Sequence, residues 1–182
     1  NKTSEITNKN NYIMKTRITS LLLVVLLMAS FTSDAQRRKS KKDTHNFRYE
    51  IECLGSGNSG TYPIKVFSYS KKPRVAIEAA KRNAIHGVIF KGISGGKCNQ
   101  PALARNPNLE QEKADFFKAF FADGGKYSKF VVASTDGAVG AGDITKISKK
   151  EFKVGVNVSV NVTLLRKDLQ AAGIIRGLAA GF

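Results

Sequence analysis

The sequence predicts an α+β fold in two layers: a mainly antiparallel sheet of four to five strands, two main helices and a short C-terminal helix. Three observations predict it. Apolar and polar residues alternate strictly in two stretches, 47–53 and 152–162, as half-buried strands require. Apolar residues recur at helical spacing between 73 and 89. The elements then come in the order strand, strand, helix, helix, two or three strands and a helix, a pattern satisfied by antiparallel strands with helices packed on one face. The length of 182 residues and 42% apolar content suit a single domain able to bury a core.

In chain order, residues 1–13 are polar and patternless and are expected as a non-native extension ahead of an initiator at Met14. Residues 14–35 have the layout of a secretory signal peptide. Lys15 and Arg17 form the positive region, Leu21 to Met28 the apolar one, and Ser33-Asp34-Ala35 places small residues where a signal peptidase reads. The rival reading is a membrane anchor. The apolar run from Ile18 to Phe31 contains Thr19, Ser20 and Ser30 and falls short of the roughly 20 residues a bilayer needs. No transmembrane segment is expected in the mature chain. Residues 36–46 carry Arg37, Arg38, Lys39, Lys41 and Lys42 with almost nothing apolar and read as a mobile basic arm. Residues 47–182 are the single α+β domain.

Within that domain, Phe47, Tyr49, Ile51 and Cys53 alternate with Arg48, Glu50 and Glu52 to make the first strand. A Gly and Ser cluster at 55–60 makes the turn, and Tyr62, Ile64 and Val66 continue as an antiparallel second strand. Pro73 opens a helix at the position Pro favours. Ile77, Ala80, Ala84, Ile85, Val88 and Ile89 form its inner stripe, with Lys81 and Arg82 outside and Gly92 to Gly96 at its end. A polar loop with Cys98, Pro101 and Pro107 follows. Residues 110–121 read as a second helix with Phe117, Phe120 and Phe121 inward, stopped by Gly124-Gly125. Residues 127–133 are apolar enough for a central strand. Phe152, Val154, Val156, Val158, Val160 and Val162 then predict a long strand with one face buried and one wet. Residues 164–173 close the domain as a short helix.

Several patterns imitate chemistry. Gly55-Ser56-Gly57-Asn58-Ser59-Gly60 matches the dinucleotide fingerprint, but a strand and not a helix follows it, so a hairpin loop is expected. Gly95-Gly96-Lys97 resembles the end of a phosphate-binding loop, yet Lys91 and Cys98 stand where Gly and Ser or Thr are required. Cys53 and Cys98 either form a disulfide, which an oxidising compartment permits, or are two separate buried thiols. No second Cys or His sits at ligand spacing near either, so no metal and no cofactor is expected. A Cys98–His86 nucleophilic pair is conceivable. Without a third orienting group, the plainer reading of His86 is a partly buried structural histidine. No pair of acidic residues stands out as general acid and base, so catalytic residues are not assigned.

The formal charge is +16, from 30 Lys and Arg against 14 Asp and Glu. Removing residues 1–35 takes only Lys2, Lys9, Lys15 and Arg17 against Glu5 and Asp34, so the basicity belongs to the exported part. Basic clusters fall at 37–42, 71–74 and 149–153. Arg37, Arg38, Lys39, Lys41, Lys42, Lys71, Lys72 and Arg74 are the candidate anion-binding residues, with Phe67 and Tyr69 as candidate stacking partners. An exported protein seldom meets nucleic acid, which leaves anionic polysaccharide or lipid headgroups as the fitting targets.

Between residues 51 and 93, Leu54-Gly55 ends a strand, a hairpin follows, and Arg74, Ala76, Ala79, Ala80, Arg82, Asn83 and Ala84 lie on a helix ending at Gly92. This order resembles a group of small bacterial envelope domains, the N-terminal domain of flagellar assembly protein T and related surface lipoproteins. The chain lacks their lipoprotein Cys. With its signal ending in Ala35-Gln36 it is also similar to exported proteins of Gram-negative anaerobes. The resemblance implies a non-catalytic envelope component of α+β fold and transfers no functional residues. The leading expectation is thus an exported binding or assembly module in the periplasm or on the surface of a Gram-negative bacterium. It would act through an envelope protein partner, using the wet face of strand 152–162 and the Gly-rich loops. The alternatives are an anion-binding module using the arm and residues 71–74, and a Cys/His-dependent enzyme.

Overall fold

Alternation in the first stretch becomes strand β1 (Tyr49–Cys53), in which Tyr49 is buried while Glu50 and Glu52 are exposed. A loop ending in a short 3-10 turn at Asn58–Gly60 leads into β2 (Thr61–Ser70), longer than the alternation of Tyr62, Ile64 and Val66 suggests. Ser68 and Ser70 take inward positions at 0% and 2% exposure, so the apolar pattern fades before the strand does. Helix α1 (Pro73–Phe90) follows with Pro at its first turn, and short strands β3 (Ile93–Gly95) and β4 (Cys98–Gln100) form a hairpin where a polar loop is expected. The expected second helix is two pieces, α2 (Leu109–Glu112) and α3 (Ala114–Phe120), broken where Lys113 leaves helical geometry at φ −114°, ψ 35°. A 3-10 turn at Lys126–Phe130 precedes β5 (Val131–Ala133), and a second at Ala141–Asp143 precedes β6 (Ile144–Ser148). Strand β7 (Glu151–Asn161) and helix α4 (Val162–Ala171) complete the order.

The computed structural model describes residues 47–55, 57–134 and 139–177, all in one compact unit. The extension, the signal-like segment and the basic arm lie outside the described residues. So does Ser56 of the Gly-rich loop.

The antiparallel sheet runs β1-β2-β7-β5, with β6 pairing the other end of the same β7 edge. The segment 127–133, expected as a central strand, therefore contributes three residues at the sheet edge, and Val132 is 68% exposed. Its first part turns into the 3-10 segment that buries Tyr127 and Phe130. The most regular alternation in the chain, by contrast, belongs to the central strand β7. Register between β2 and β7 keeps parity throughout: Ile64 faces Val158, Val66 faces Val156 and Ser68 faces Val154. Parity puts every one of these side chains on the same face.

That face is covered by α1. Ala76, Ala80, Ala84, Ile85, Val88 and Ile89 pack on the valines, the alanines letting the helix axis approach the sheet while the isoleucines fill between. Each fully buried Val or Ile contributes roughly 2 kcal/mol by removal from water. Leu165 and Leu169 of α4 and the aromatic group Phe117, Phe120, Phe121 and Phe130 close the ends of the same core. Arg82, expected on the outer face of α1, is instead 5% exposed and donates to Asp123 at 2.9 Å, with its guanidinium 5.8 Å from the Tyr127 ring. The helix is long enough that the aromatic segment wraps its flank, so burial exceeds the single stripe that periodicity describes. Val162, the last residue of the alternation, begins α4. Asn161 caps that helix through its side-chain oxygen, which accepts the Leu164 N–H at 2.9 Å.

Candidate anion-binding site

Antiparallel pairing of β2 with β7 ends at Ser70 opposite Phe152. The residues that follow β2 and those that precede β7 consequently emerge at one end of the sheet. Two basic clusters that are far apart in the chain, at 71–74 and 149–153, meet there. Arg48 joins them because β1 starts with Tyr49 opposite Ser68, so the preceding residue reaches Tyr69. A cavity of about 380 Å³ opens between them, lined by Arg48, Tyr69, Ser70, Lys71, Ser148, Lys150 and Glu151.

The Arg48 guanidinium lies 4.3 Å from the Tyr69 ring centre and donates twice to Glu151, at 2.8 and 3.4 Å. Ser148 accepts the backbone N–H of Lys150 at 3.2 Å, and Ser70 accepts that of Lys72 at 3.4 Å. These two short turns fix Ser70 and Ser148, which both line the cavity. The N-terminus of α1 follows β2 directly in the chain. Lys72 is its N-cap and supplies no side-chain hydrogen bond, and no acidic residue lies in the first turn. A helix N-terminus carries about half a positive charge and ordinarily attracts Asp or Glu. Here Lys71, Lys72 and Arg74 gather at it instead.

Among the candidate anion-binding residues, Lys71 lines the cavity, whereas Lys72 and Arg74 do not. Arg37, Arg38, Lys39, Lys41 and Lys42 lie outside the described residues. Alternation alone had already turned Arg48 outward, but only strand register brings it to Tyr69 and Glu151, so no sequence signal marked it. Lys150 belongs to a recognised cluster, and Ser148 and Glu151 carry no signal of their own.

The outer face of the sheet, expected to be wet and open, is dressed by its own side chains. Gly155 of β7 lies directly opposite Phe67 of β2, and a Cβ on it would meet Phe67 Cε1 at 2.9 Å and Lys65 Cε at 2.8 Å. Glycine thus lets the Phe67 ring lie flat over the neighbouring strand. The Lys153 ammonium sits 4.5 Å from the Phe67 ring centre and donates to Glu50 at 2.6 Å. That hydrogen bond holds the Glu50 carboxyl below its usual range and the Lys153 ammonium above its own. Tyr69 donates to the same carboxylate, and burial followed by that hydrogen bond pushes its hydroxyl pKa up. Lys65 pairs with Asp143. Phe67 and Tyr69, considered as stacking partners for a ligand, therefore have their rings engaged by Lys153 and Arg48.

Cys53 and Cys98 form a disulfide between the end of β1 and the start of β4, which settles the choice between a bridge and two thiols. His86 pairs with neither. Its Nδ1 is 2.7 Å from the Tyr49 hydroxyl and its Nε2 is 3.3 Å from Glu110 Oε2. The ring stacks on Phe47 at 3.7 Å. An orienting carboxylate does exist, but the group on the far side is a phenol whose pKa is pushed up, first by burial and then by the Glu110 charge. Both literal glycine motifs lie in hairpins: residues 55–60 join β1 to β2, and Gly95-Gly96-Lys97 is the tip of β3–β4. Among the described residues, no cluster of three or more His, Cys, Asp or Glu is arranged to hold a metal ion, and no helix is long and apolar enough to cross a membrane. Comparison of the chain with protein-family models, curated proteins and solved structures finds no match to any of them.

Proposed function

We propose that this protein is an exported, non-catalytic module of the cell envelope that binds an anionic polysaccharide at the cavity lined by Arg48, Lys71 and Lys150. One observation carries the reading. Strand pairing brings Lys71 and Lys150, one from each of two separate basic clusters, and Arg48 to one concave, partly polar pocket at the end of the sheet. Three basic side chains lining one concavity with a single carboxylate suit an anionic ligand. The outer sheet face, the alternative surface for a protein partner, is engaged by internal pairs of Lys65 and Lys153 with Asp143 and Glu50. The export half of the reading rests on the signal-like residues 14–35, and the disulfide fits an oxidising compartment.

The test uses heparin as a generic sulfated polysaccharide. Retention should weaken steeply as salt rises, because exposed charges are screened over about 10 Å at 0.1 M. A Lys71→Ala/Lys150→Ala variant should elute at distinctly lower salt than the parent. A control lacking Lys118 and Lys167, exposed lysines that do not line the cavity, should elute no earlier than it. If the control loses as much retention as the pocket variant, binding follows net charge and the site is wrong. Preferential capture by phosphatidylglycerol vesicles over the polysaccharide would overturn the choice of ligand.

A further inference from the structure

We propose that β6 is a docking edge for an extended acidic segment of a partner protein, which adds to the sheet as one more antiparallel strand. The inference does not rest on the polysaccharide reading: it uses the backbone edge of β6 rather than the cavity at its end.

The two edges of the sheet differ. At one, β1 is flanked by the β3–β4 hairpin, which the Cys53–Cys98 bridge ties to it. At the other, β5 and β6 lie one after the other along β7, and β6 pairs with β7 alone. In an antiparallel strand alternate residues turn their N–H and C=O groups away from the neighbour, so on β6 these groups point off the sheet. All five residues of β6 are exposed. Among the described residues, three of the five large apolar side chains that are exposed sit on this edge: Val132 at 68%, Ile144 at 37% and Ile147 at 48%. Register shifts between Lys146 and Ser148, so Ile147 has no β7 residue opposite it. An edge that only had to stay unpaired would gain nothing from these side chains.

Charge identifies the partner. β6 and the turn after it hold Lys146, Lys149 and Lys150. The acidic residues on either side are engaged, Asp143 by Lys65 and Glu151 by Arg48. Lysine on an edge strand keeps like strands away. A second copy of this chain, paired two-fold about Lys146, would set two ammonium groups directly opposite each other, and any register brings two basic edges together. An acidic strand meets the same lysine as an opposite charge. Ile144 and Lys146 lie two apart and share a face. The antiparallel occupant therefore carries Asp or Glu opposite Lys146 and, two residues later, an aliphatic side chain opposite Ile144. Backbone hydrogen bonds supply the affinity, and these two side chains the choice of sequence.

The probe is a short fluorescein-labelled peptide of alternating Glu and Val, followed by anisotropy at one fixed ionic strength. It should bind the wild type at least about tenfold more tightly than an alternating Lys and Val peptide. The same margin should separate it from its own fully N-methylated form, which keeps the charge and loses every backbone donor. Lys146→Glu should weaken the Glu-Val peptide by about tenfold, and Lys71→Ala, at the cavity, by less than about twofold. Amides of residues 144–148 should exchange more slowly with the peptide bound. Equal binding of the N-methylated form would show attraction by charge alone and overturn strand addition. Absence of binding, an unchanged affinity in Lys146→Glu, or unchanged exchange at 144–148 would each overturn the proposal as well. A dimer that protects the same amides without peptide would make a second copy the occupant and overturn the acidic partner. Lys146 is exposed, and circular dichroism of the variant keeps loss of folding apart from loss of binding.

Discussion

His86 links three elements: α1 carries it, Tyr49 of β1 meets its Nδ1, and Glu110 of α2 meets its Nε2. A neutral ring fits both contacts, with the Tyr49 O–H donating to Nδ1 and Nε2–H donating to the carboxylate. Burial lowers the His86 pKa, the Glu110 charge and hydrogen bond oppose the shift, and Lys91 adds to it. The depressed pKa sets the sign. The unfolded chain takes up a proton near pH 6.5 while the folded chain does so only at lower pH, so stability is full above about 6.5 and declines as pH falls. Urea midpoints between pH 7.5 and 5.5 should fall with pH, and His86→Gln should flatten that slope; an unchanged slope in the variant would assign the effect to other groups. Gly92 is the other residue whose identity is dictated locally. It ends α1 at φ +76°, and a Cβ there would approach the Gln100 carbonyl oxygen to 2.7 Å and the Ala102 nitrogen to 2.8 Å. Backbone cannot swing aside as a side chain can. Gly92→Ala is expected to cost about 2 kcal/mol or more, read as a lower urea midpoint.

At the scale of elements, the β3–β4 hairpin is tied to β1 by the Cys53–Cys98 bridge, which spans 45 residues and encloses β2 and α1. Closing a loop of that length in the unfolded chain accounts for about 4 kcal/mol in the chain-entropy description. Reduction, or a Cys53→Ala/Cys98→Ala pair, should lower the thermal midpoint by many degrees. A midpoint within a degree or two of the parent would show that the hairpin is held by packing of Ile93 and Leu103 instead. The passage from β7 to α4 has no loop at all, and Asn161 alone makes the change from strand to helix. Asn161→Ala should cost about 1 kcal/mol through loss of the cap to Leu164. Asn161→Asp should retain most of it, since an aspartate oxygen can accept the same N–H. The break at Lys113 was not legible in the sequence because the apolar residues that predict the helix, Phe117, Phe120 and Phe121, all lie on one side of it. Periodicity reports which side chains go inward, and it is insensitive to a single residue leaving helical geometry.

For the whole molecule, one continuous core links β1, β2, β7 and all of α1 with the aromatic segment and α4. The described part of the chain is therefore expected to unfold in a single step. Far-ultraviolet dichroism and tyrosine fluorescence should give coincident urea transitions, and amides of β2, β7 and α1 should exchange slowest. Two separated transitions would show the aromatic segment or α4 to be an independent unit. The same architecture explains how three basic residues remote in the chain meet. Helix and core occupy one side of the sheet, and ion pairs cover much of the other. At the strand ends Arg48, Lys71 and Lys150 come together around the cavity.

Much of this was set by sequence alone. The α+β class, the long helix from Pro73 to Phe90, the antiparallel first hairpin and the inward face of β7 follow from alternation and helical spacing. These are consequences of near-neighbour geometry, since side chains two apart on a strand or three to four apart on a helix share a face wherever the element ends up. Tertiary structure decided everything that depends on residues remote in the chain. It moved 127–133 from the sheet centre to its edge, buried Arg82, joined Cys53 to Cys98, and gave His86 a phenol and a carboxylate. It also brought Arg48, Lys71 and Lys150 to a single cavity. Strand order and register carry that information, and they arise from the packing of the whole core, of which no local pattern holds more than a part.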